Sequence, residues 1–267
     1  MTFKRKCAVL GVVHVRALPG SAGYRGDMDG ILSVALDEAR IYEEQGVDGI
    51  IVENMHDVPY LKGRVEPETT AAMAIVARAV KQQSGLPTGV QILAGANLEA
   101  LAVAVAASLD FLRVEGFVYA HVGDEGIHES CAGELLRRRA NLKADNVLIL
   151  ADIKKKHSAH AITGDVGLVE TARAAEFFGA DGVIVTGIST GHPPDPDHVR
   201  GVSAAVHNLV MVGSGVTAEN VHLYAPHCHA VIVGSTFKEN GSWKNRVDPL
   251  RVHAFVGALD RALKVES

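Results

Sequence analysis

Cysteine is scarce in this chain of 267 residues: Cys7, Cys131 and Cys228 are the only three, odd in number and far apart. That excludes a disulfide framework as the basis of the fold and suits a reducing, cytoplasmic location. Long hydrophobic runs are also missing, since no segment reaches the roughly 18 apolar residues of a membrane span. The opening stretch MTFKRKCAVLGVV follows basic residues with apolar ones, as a signal peptide does. His14 and Arg16 interrupt it, however, and no small-residue cleavage site follows, so it reads as a first strand. Charge of one sign is nowhere concentrated. The formal net charge of -5 is spread without an extended block, which leaves no electrostatic footprint for nucleic acid or an anionic membrane. Arg137-Arg138-Arg139 comes nearest, but consecutive helical residues fan out around the axis, so it reads as a solvated helix face.

What the chain has instead is apolar residues, 48% of the total, enough at this length to bury a sizeable core. Eight short runs rich in β-branched residues recur along it: residues 7–15, 49–55, 88–93, 111–116, 147–154, 182–187, 209–215 and 230–236. Most are apolar nearly throughout, as parallel strands covered on both faces are. Amphipathic stretches such as ILSVALDEARIYEEQG and PETTAAMAIVARAVKQQSG separate them, several ending in the glycine that stops a helix. Eight β/α units without a break in composition predict one closed (β/α)8 TIM barrel domain over residues 1–267, with an open doubly wound sheet as runner-up.

Loop lengths identify the working face. Helix-to-strand links are short (QGVD, SGLP, FGAD), whereas strand-to-helix links are long (RALPGSAGYRGDMDG, MHDVPYLKGRVE, FVYAHVGDEGIHES, GISTGHPPDPD). The long loops therefore gather at the carboxyl ends of the strands, where barrel enzymes place their sites.

Two groups of candidate residues fall there. The seventh candidate strand ends in Gly213, Ser214 and Gly215, and the eighth in Gly234, Ser235 and Thr236. Glycine lets backbone N–H groups approach an anion and hydroxyls add donors, so the pair predicts a phosphate site, against the plain reading of two tight turns. His14, Glu53, Glu115 and Asp152 form the second group, polar residues at or near the ends of otherwise apolar strands. There they serve either in catalysis or in pairing with Arg16, Arg113 or Lys154.

In ADIKKKHS a period of two puts Asp152, Lys154 and Lys156 on one strand face. Asp152 and Lys154 then make a carboxylate–ammonium pair suited to proton exchange, and a lysine beside a second cation suits a Schiff base. Lys155 and Lys156 read as a run leaving the barrel into water. His14, Glu53 and Asp152 could alternatively hold a divalent metal ion, although no spacing demands one. HVGDEGIHE (121–129) gathers histidines and carboxylates and reads equally as a polar lid. Cys131, near a predicted helix start, could have a lowered pKa or be a packing residue. His227-Cys228-His229 has ligand-like letters but lies before the eighth strand, at the opposite end of the barrel, and reads as a structural link.

Taken together, GVVHVRALPGS, VENMHDVPY, DIKKKHSAHA, IVTGISTG, VGSGVTAENV and VGSTFKENGSWKNRVDPLRV resemble the BtpA family over nearly the whole chain. The resemblance implies a barrel related to the ribulose-phosphate-binding superfamily, with phosphate at the ends of strands seven and eight. Bacterial members carry an Arg-Asn pair after the third strand, where this chain has Ala94-Gly95-Ala96-Asn97. VEGFVYAHVGDEG looks more like the family's animal branch. The leading expectation is an enzyme, a lyase, isomerase or hydrolase, acting on a small phosphorylated sugar or nucleotide-like metabolite. The competing expectation, which the family's name suggests, is a non-catalytic assembly or stability factor. A homo-oligomer is compatible with either.

Overall fold

Eight parallel strands pair edge to edge until the last meets the first in the computed structural model, which describes residues 3–187 and 191–264. In chain order the elements are β1 (Ala8–His14), α1 (Met28–Glu44), β2 (Gly49–Glu53), α2 (Pro67–Ser84), β3 (Thr88–Gln91), α3 (Asn97–Ala107) and β4 (Phe111–Val114). There follow β5 (His121–Gly123), β6 (Gly126–His128), α4 (Ala132–Asn141), β7 (Leu148–Ile153), β8 (Ser158–Ala159), α5 (Leu168–Phe177) and β9 (Gly182–Val185). The chain ends with α6 (Pro196–Ala205), β10 (Leu209–Val212), β11 (Ala230–Val233) and α7 (Pro249–Lys264). The barrel order is β1-β11-β10-β9-β7-β4-β3-β2, and the expected (β/α)8 architecture is the one observed.

Two departures from eight uniform units matter. Between β10 and β11 the chain makes two short 3-10 turns, Val221–Leu223 and Ala225–His227, instead of an α-helix. Pro226 lies inside the second, where its missing N–H and fixed φ oppose a longer helix. After β4, the loop expected from FVYAHVGDEGIHES is ordered as the antiparallel pair β5 and β6, joined by β8 into a three-stranded sheet.

The strands' period of two sorts their side chains. Outward residues meet the helices: Tyr42 of α1 is fully buried and donates its hydroxyl to the Val12 carbonyl at 2.8 Å. Inward residues, among them Leu10, Val12, Ile51, Phe111, Leu150, Met211 and Ile232, fill the barrel as a separate apolar cluster. At this level Gly89 is required, because a Cβ there would sit 2.2 Å from the Phe111 ring. Two residues further along, the same inward alternation reaches His14, Glu53, Gln91, Arg113, Asp152, Gly213 and Gly234. The lower layers are a sealed apolar plug, and the polar layer is carried on its rim.

The last strand's exit is anchored by a buried ion pair. Lys238, wholly inaccessible, reaches Glu38 of α1 at 2.6 Å. Burial raises the Glu38 pKa and lowers that of Lys238, and each charge offsets the other's shift. Removing one partner strands a charge in the core, at a cost of about 3–5 kcal/mol. Lys238→Met is therefore expected to lower unfolding stability in urea by about that much, and adding Glu38→Leu should restore most of it. Equal stability of the wild type and the single variant would contradict this anchoring.

Candidate functional site

The rim layer opens at the carboxyl ends of the strands into two cavities with a common wall. One is a notch of about 50 Å³ lined by Gly213, Ser214, Gly215, Gly234, Ser235 and Thr236 on one side and by His14, Glu53, Arg113 and Lys156 on the other. The second, about 290 Å³, has Glu53, Met55, Arg113 and Lys156 in common with the first and extends to Tyr60, Gln91, Leu93, Glu115, Asp124 and Trp243.

Arg113 stands on the shared wall, and Asp152 holds it from behind. Arg113 Nε and Nη2 donate to the two Asp152 oxygens at 3.0 and 3.2 Å, and both side chains are buried. Such a two-point bond fixes both groups in orientation as well as in charge. Beside it, Lys155 Nζ donates to Glu115 Oε1 at 3.3 Å. Glu53 has its pKa raised, chiefly by burial, against the pull of Arg113 and Lys156. Burial and the neighbouring Arg113 lower the pKa of Lys156, against the attraction of Glu53, Asp152 and Glu115. Three carboxylates and three cations are thus collected at one rim, with two of the pairs closed and Glu53 and Lys156 bordering both cavities.

The His14 ring is held by Trp243, edge to face at 6.4 Å and through one hydrogen bond. Its Nδ1 donates to the Trp243 carbonyl at 3.2 Å, and since a carbonyl only accepts, the hydrogen is on Nδ1 and Nε2 is left as the acceptor. Burial, then Lys238, pushes its pKa well down, so the ring is neutral. Nε2 is 3.1 Å from where a Cβ on Gly234 would stand, so any larger residue would press on the imidazole.

The lysine run does not follow the expected face. Strand geometry ends at Ile153, and Lys154 adopts φ +47°, in the left-handed region, which breaks the alternation. Lys154 then donates to the Thr163 carbonyl and hydroxyl at 2.8 and 3.0 Å, away from Asp152. The expected Asp152–Lys154 pair is therefore corrected: Asp152 pairs with Arg113, and Lys154 braces the following loop. Lys155 and Lys156, expected to run out into water, are turned inward by the same kink, Lys155 onto Glu115 and Lys156 onto the shared wall.

The six residues expected to hold phosphate do come together. Two of their hydroxyls are engaged: Ser214 Oγ accepts from Gly187 N–H and donates to the His192 carbonyl, both at 3.1 Å, and Thr236 Oγ1 donates to the Val216 carbonyl at 2.9 Å. These bonds tie the turns after β9, β10 and β11 to one another; the Gly213 N–H is also engaged, donating to the Val185 carbonyl at 2.8 Å, so Ser235 and the backbone beyond Gly213 are the groups left to face the notch. Part of GISTGHPPDPD, residues 188–190, lies outside the described residues.

The remaining candidates fall elsewhere. His121 and His128 stack face to face at 5.0 Å across the β5–β6 pair, and burial, then Lys155, pushes the His121 pKa to about 4. Asp124 and Glu125 line the larger cavity, and the segment is a short sheet rather than an open loop. Burial drives the Cys131 thiol up to about 11, which corrects the lowered value considered from its helix-start position. His227-Cys228-His229 is a link: Cys228 packs on Cys7, and His229 Nδ1 accepts the Val210 N–H at 3.1 Å. Among the described residues no three His, Cys, Asp or Glu side chains are grouped to hold a metal ion, and Asp152 gives both oxygens to Arg113 rather than joining His14 and Glu53 as a ligand set.

Sequence reasoning missed Gln91, named Arg113 only as a partner, and misplaced Lys156. The signal for the first two was available: each stands two residues beyond an inward residue of its strand, Gln91 opposite Glu53 and Arg113 opposite the inward Leu150. For Lys156 the period of two pointed to the face of Asp152, but the backbone turn at Lys154 decides that Lys156, and not Lys154, reaches the wall.

The BtpA family model matches residues 5–261. An uncharacterized mitochondrial protein of Caenorhabditis elegans is 47% identical over 93% of this chain and 91% of its own. The photosystem I biogenesis protein BtpA of Synechocystis is 35% identical over 98% of this chain and 91% of its own. Among solved structures, thiamine phosphate pyrophosphorylase from Pyrococcus furiosus superposes with a TM-score of 0.61, covering 97% of this chain and 98% of its own at 14% identity, a likeness of fold. No described helix is long and apolar enough to cross a membrane. Family model and relatives agree over almost the whole length, and the chain belongs to the BtpA family.

Proposed function

We propose that this protein is an enzyme that binds a small phosphorylated metabolite and performs acid–base chemistry at the rim of the barrel. One observation carries the reading: a notch the size of a single small anion, walled by two glycine-containing turns, opens directly beside Glu53 and Lys156. The phosphate would rest on the backbone of residues 214–215 and 234–236, with Arg113 and Lys156 supplying positive charge across from it. The fold neighbour named above is by its own name a thiamine phosphate enzyme, which agrees with this use of the scaffold.

With the phosphate so placed, the reacting part of the substrate lies over the shared wall. Glu53, its pKa raised by burial, is a better proton acceptor than an exposed carboxylate, and Lys156, its pKa lowered, gives up its proton more readily than an exposed lysine. His14 Nε2 is the neutral acceptor on the phosphate side. Arg113 and Asp152 orient the others, and Glu115 holds Lys155. Where a divalent ion accompanies the substrate, Glu53 is the carboxylate open to it, Asp152 being committed to Arg113.

A non-catalytic assembly factor, which the name of the Synechocystis relative favours, would have no use for charges collected inside a barrel mouth. Desolvating them costs free energy that an apolar rim would avoid.

Inorganic phosphate at millimolar concentration is expected to raise the melting temperature of the wild type but not of Gly234→Val, whose side chain would fill the notch against His14. No shift with phosphate or any phosphate ester would remove the anchor from the account. Incubated with a metabolite extract and followed by mass spectrometry, the wild type should consume at least one phosphate ester. Glu53→Gln should consume it at least about 100-fold more slowly while keeping the phosphate-induced shift. Equal turnover would exclude Glu53 as acid or base. A lysine with a lowered pKa carries more free amine at pH 8 than exposed lysines do, a difference that fades as pH falls. Limiting reductive methylation at pH 8 should therefore modify Lys156 early, and phosphate should protect it, both read by peptide mapping.

A further inference from the structure

The larger cavity indicates what is attached to the phosphate. Its volume, about 290 Å³, is near the lower end of small-molecule sites, roughly 300 Å³. It is joined to the notch through Glu53, Met55, Arg113 and Lys156, so one ligand can occupy both. Its lining is unevenly divided. Met55, Tyr60, Leu93 and Trp243 provide apolar and aromatic surface, and Trp243 is fixed in place by His56, with ring centroids 4.9 Å apart.

Its buried polar groups lack donors. Gln91 Oε1 and Glu115 Oε2 are both inaccessible and have no hydrogen-bond partner, although the two residues are 3% and 7% exposed. Arg113 is engaged with Asp152 and Lys155 with the other oxygen of Glu115, and Lys156, which also lines the cavity, bonds to neither of the two orphaned oxygens. A buried acceptor left unmatched costs more than a hydrogen bond to it returns in water, and since Gln91 and Glu115 both line the cavity, a small rotation of either side chain brings its orphaned oxygen to a ligand donor there. A bare sugar phosphate would bring hydroxyls but no flat face for Met55, Leu93 and Trp243. A ring bearing amino groups matches both features, since its plane lies against the apolar surface and its N–H groups point at its edge.

We propose that the substrate is a nucleotide-like phosphate ester whose planar, exocyclic-amine-bearing ring lies in the cavity of Gln91, Glu115 and Trp243 while its phosphate occupies the glycine notch. This rests on the reading of the notch as a phosphate site. The ring compartment then sets specificity through Gln91 and Trp243, neither of which takes part in the proton transfers assigned above.

Equilibrium dialysis of inorganic phosphate, ribose 5-phosphate, AMP, GMP, CMP and UMP tests it on the wild type, Gln91→Leu and Trp243→Ala. At least one of AMP, GMP and CMP should bind the wild type about 10-fold or more tighter than ribose 5-phosphate and tighter than UMP, which has no exocyclic amine. Gln91→Leu, nearly equal in volume and confirmed folded by circular dichroism, should remove most of that preference and leave phosphate and ribose 5-phosphate binding unchanged. Trp243→Ala should weaken all four nucleotides alike. If ribose 5-phosphate binds as tightly as every nucleotide, if only UMP is preferred, or if Gln91→Leu keeps the preference, the ring assignment is overturned and the phosphate site stands. If phosphate and every ester fail to bind, both fall together.

Discussion

Everything at the mouth of this barrel depends on the two-point bond between Arg113 and Asp152. It joins β4 to β7 just above the apolar plug, where a lone guanidinium or carboxylate would be strongly disfavoured. Once each neutralises the other, the remaining groups can be treated separately. Glu53 feels burial more than attraction, Lys156 feels both burial and the guanidinium, and their pKa values move toward each other. A barrel without this pair would have to scatter its rim charges into water, and the two cavities would lose their common wall.

The scaffold and the chemistry are linked by strand alternation. Leu10 and Val12 pack the interior, and the next inward step is His14; Ile51 leads to Glu53, Phe111 to Arg113, Leu150 to Asp152. Where that step falls on Gly213 and Gly234, the wall is thin and the notch appears. The buried Lys238–Glu38 bond then holds the chain leaving β11 against α1, so the turn carrying Ser235 and Thr236 has a rigid base. Ser214 and Thr236 add to that rigidity by spending their hydroxyls on neighbouring carbonyls.

Barrel closure and the working face were legible in the sequence because both are carried by local pattern: apolar strands, glycine-ended helices and unequal loops. The gathering of His14, Glu53, Asp152 and the two glycine turns was legible for the same reason, a period of two maintained to the strand ends. The pattern stopped being informative where the backbone left the strand. The left-handed turn at Lys154 exchanged the faces of Lys154 and Lys155, and nothing in the letters KKK announces it. Gln91 was passed over because it is uncharged, although its place in the register was as good as that of Glu53. The β5–β6 pair was visible as a polar segment but not as a sheet, since its pairing with Ser158 and Ala159 comes from a distant part of the chain.

The central claim is that the two glycine turns and the charged wall form one anion site. A crystal structure of the protein grown or soaked with inorganic phosphate tests it most directly. The account predicts tetrahedral density in the notch, bonded to backbone N–H groups within residues 214–215 and 234–236 and facing Arg113 and Lys156. Phosphate bound elsewhere on the protein, with only water in the notch, would contradict it.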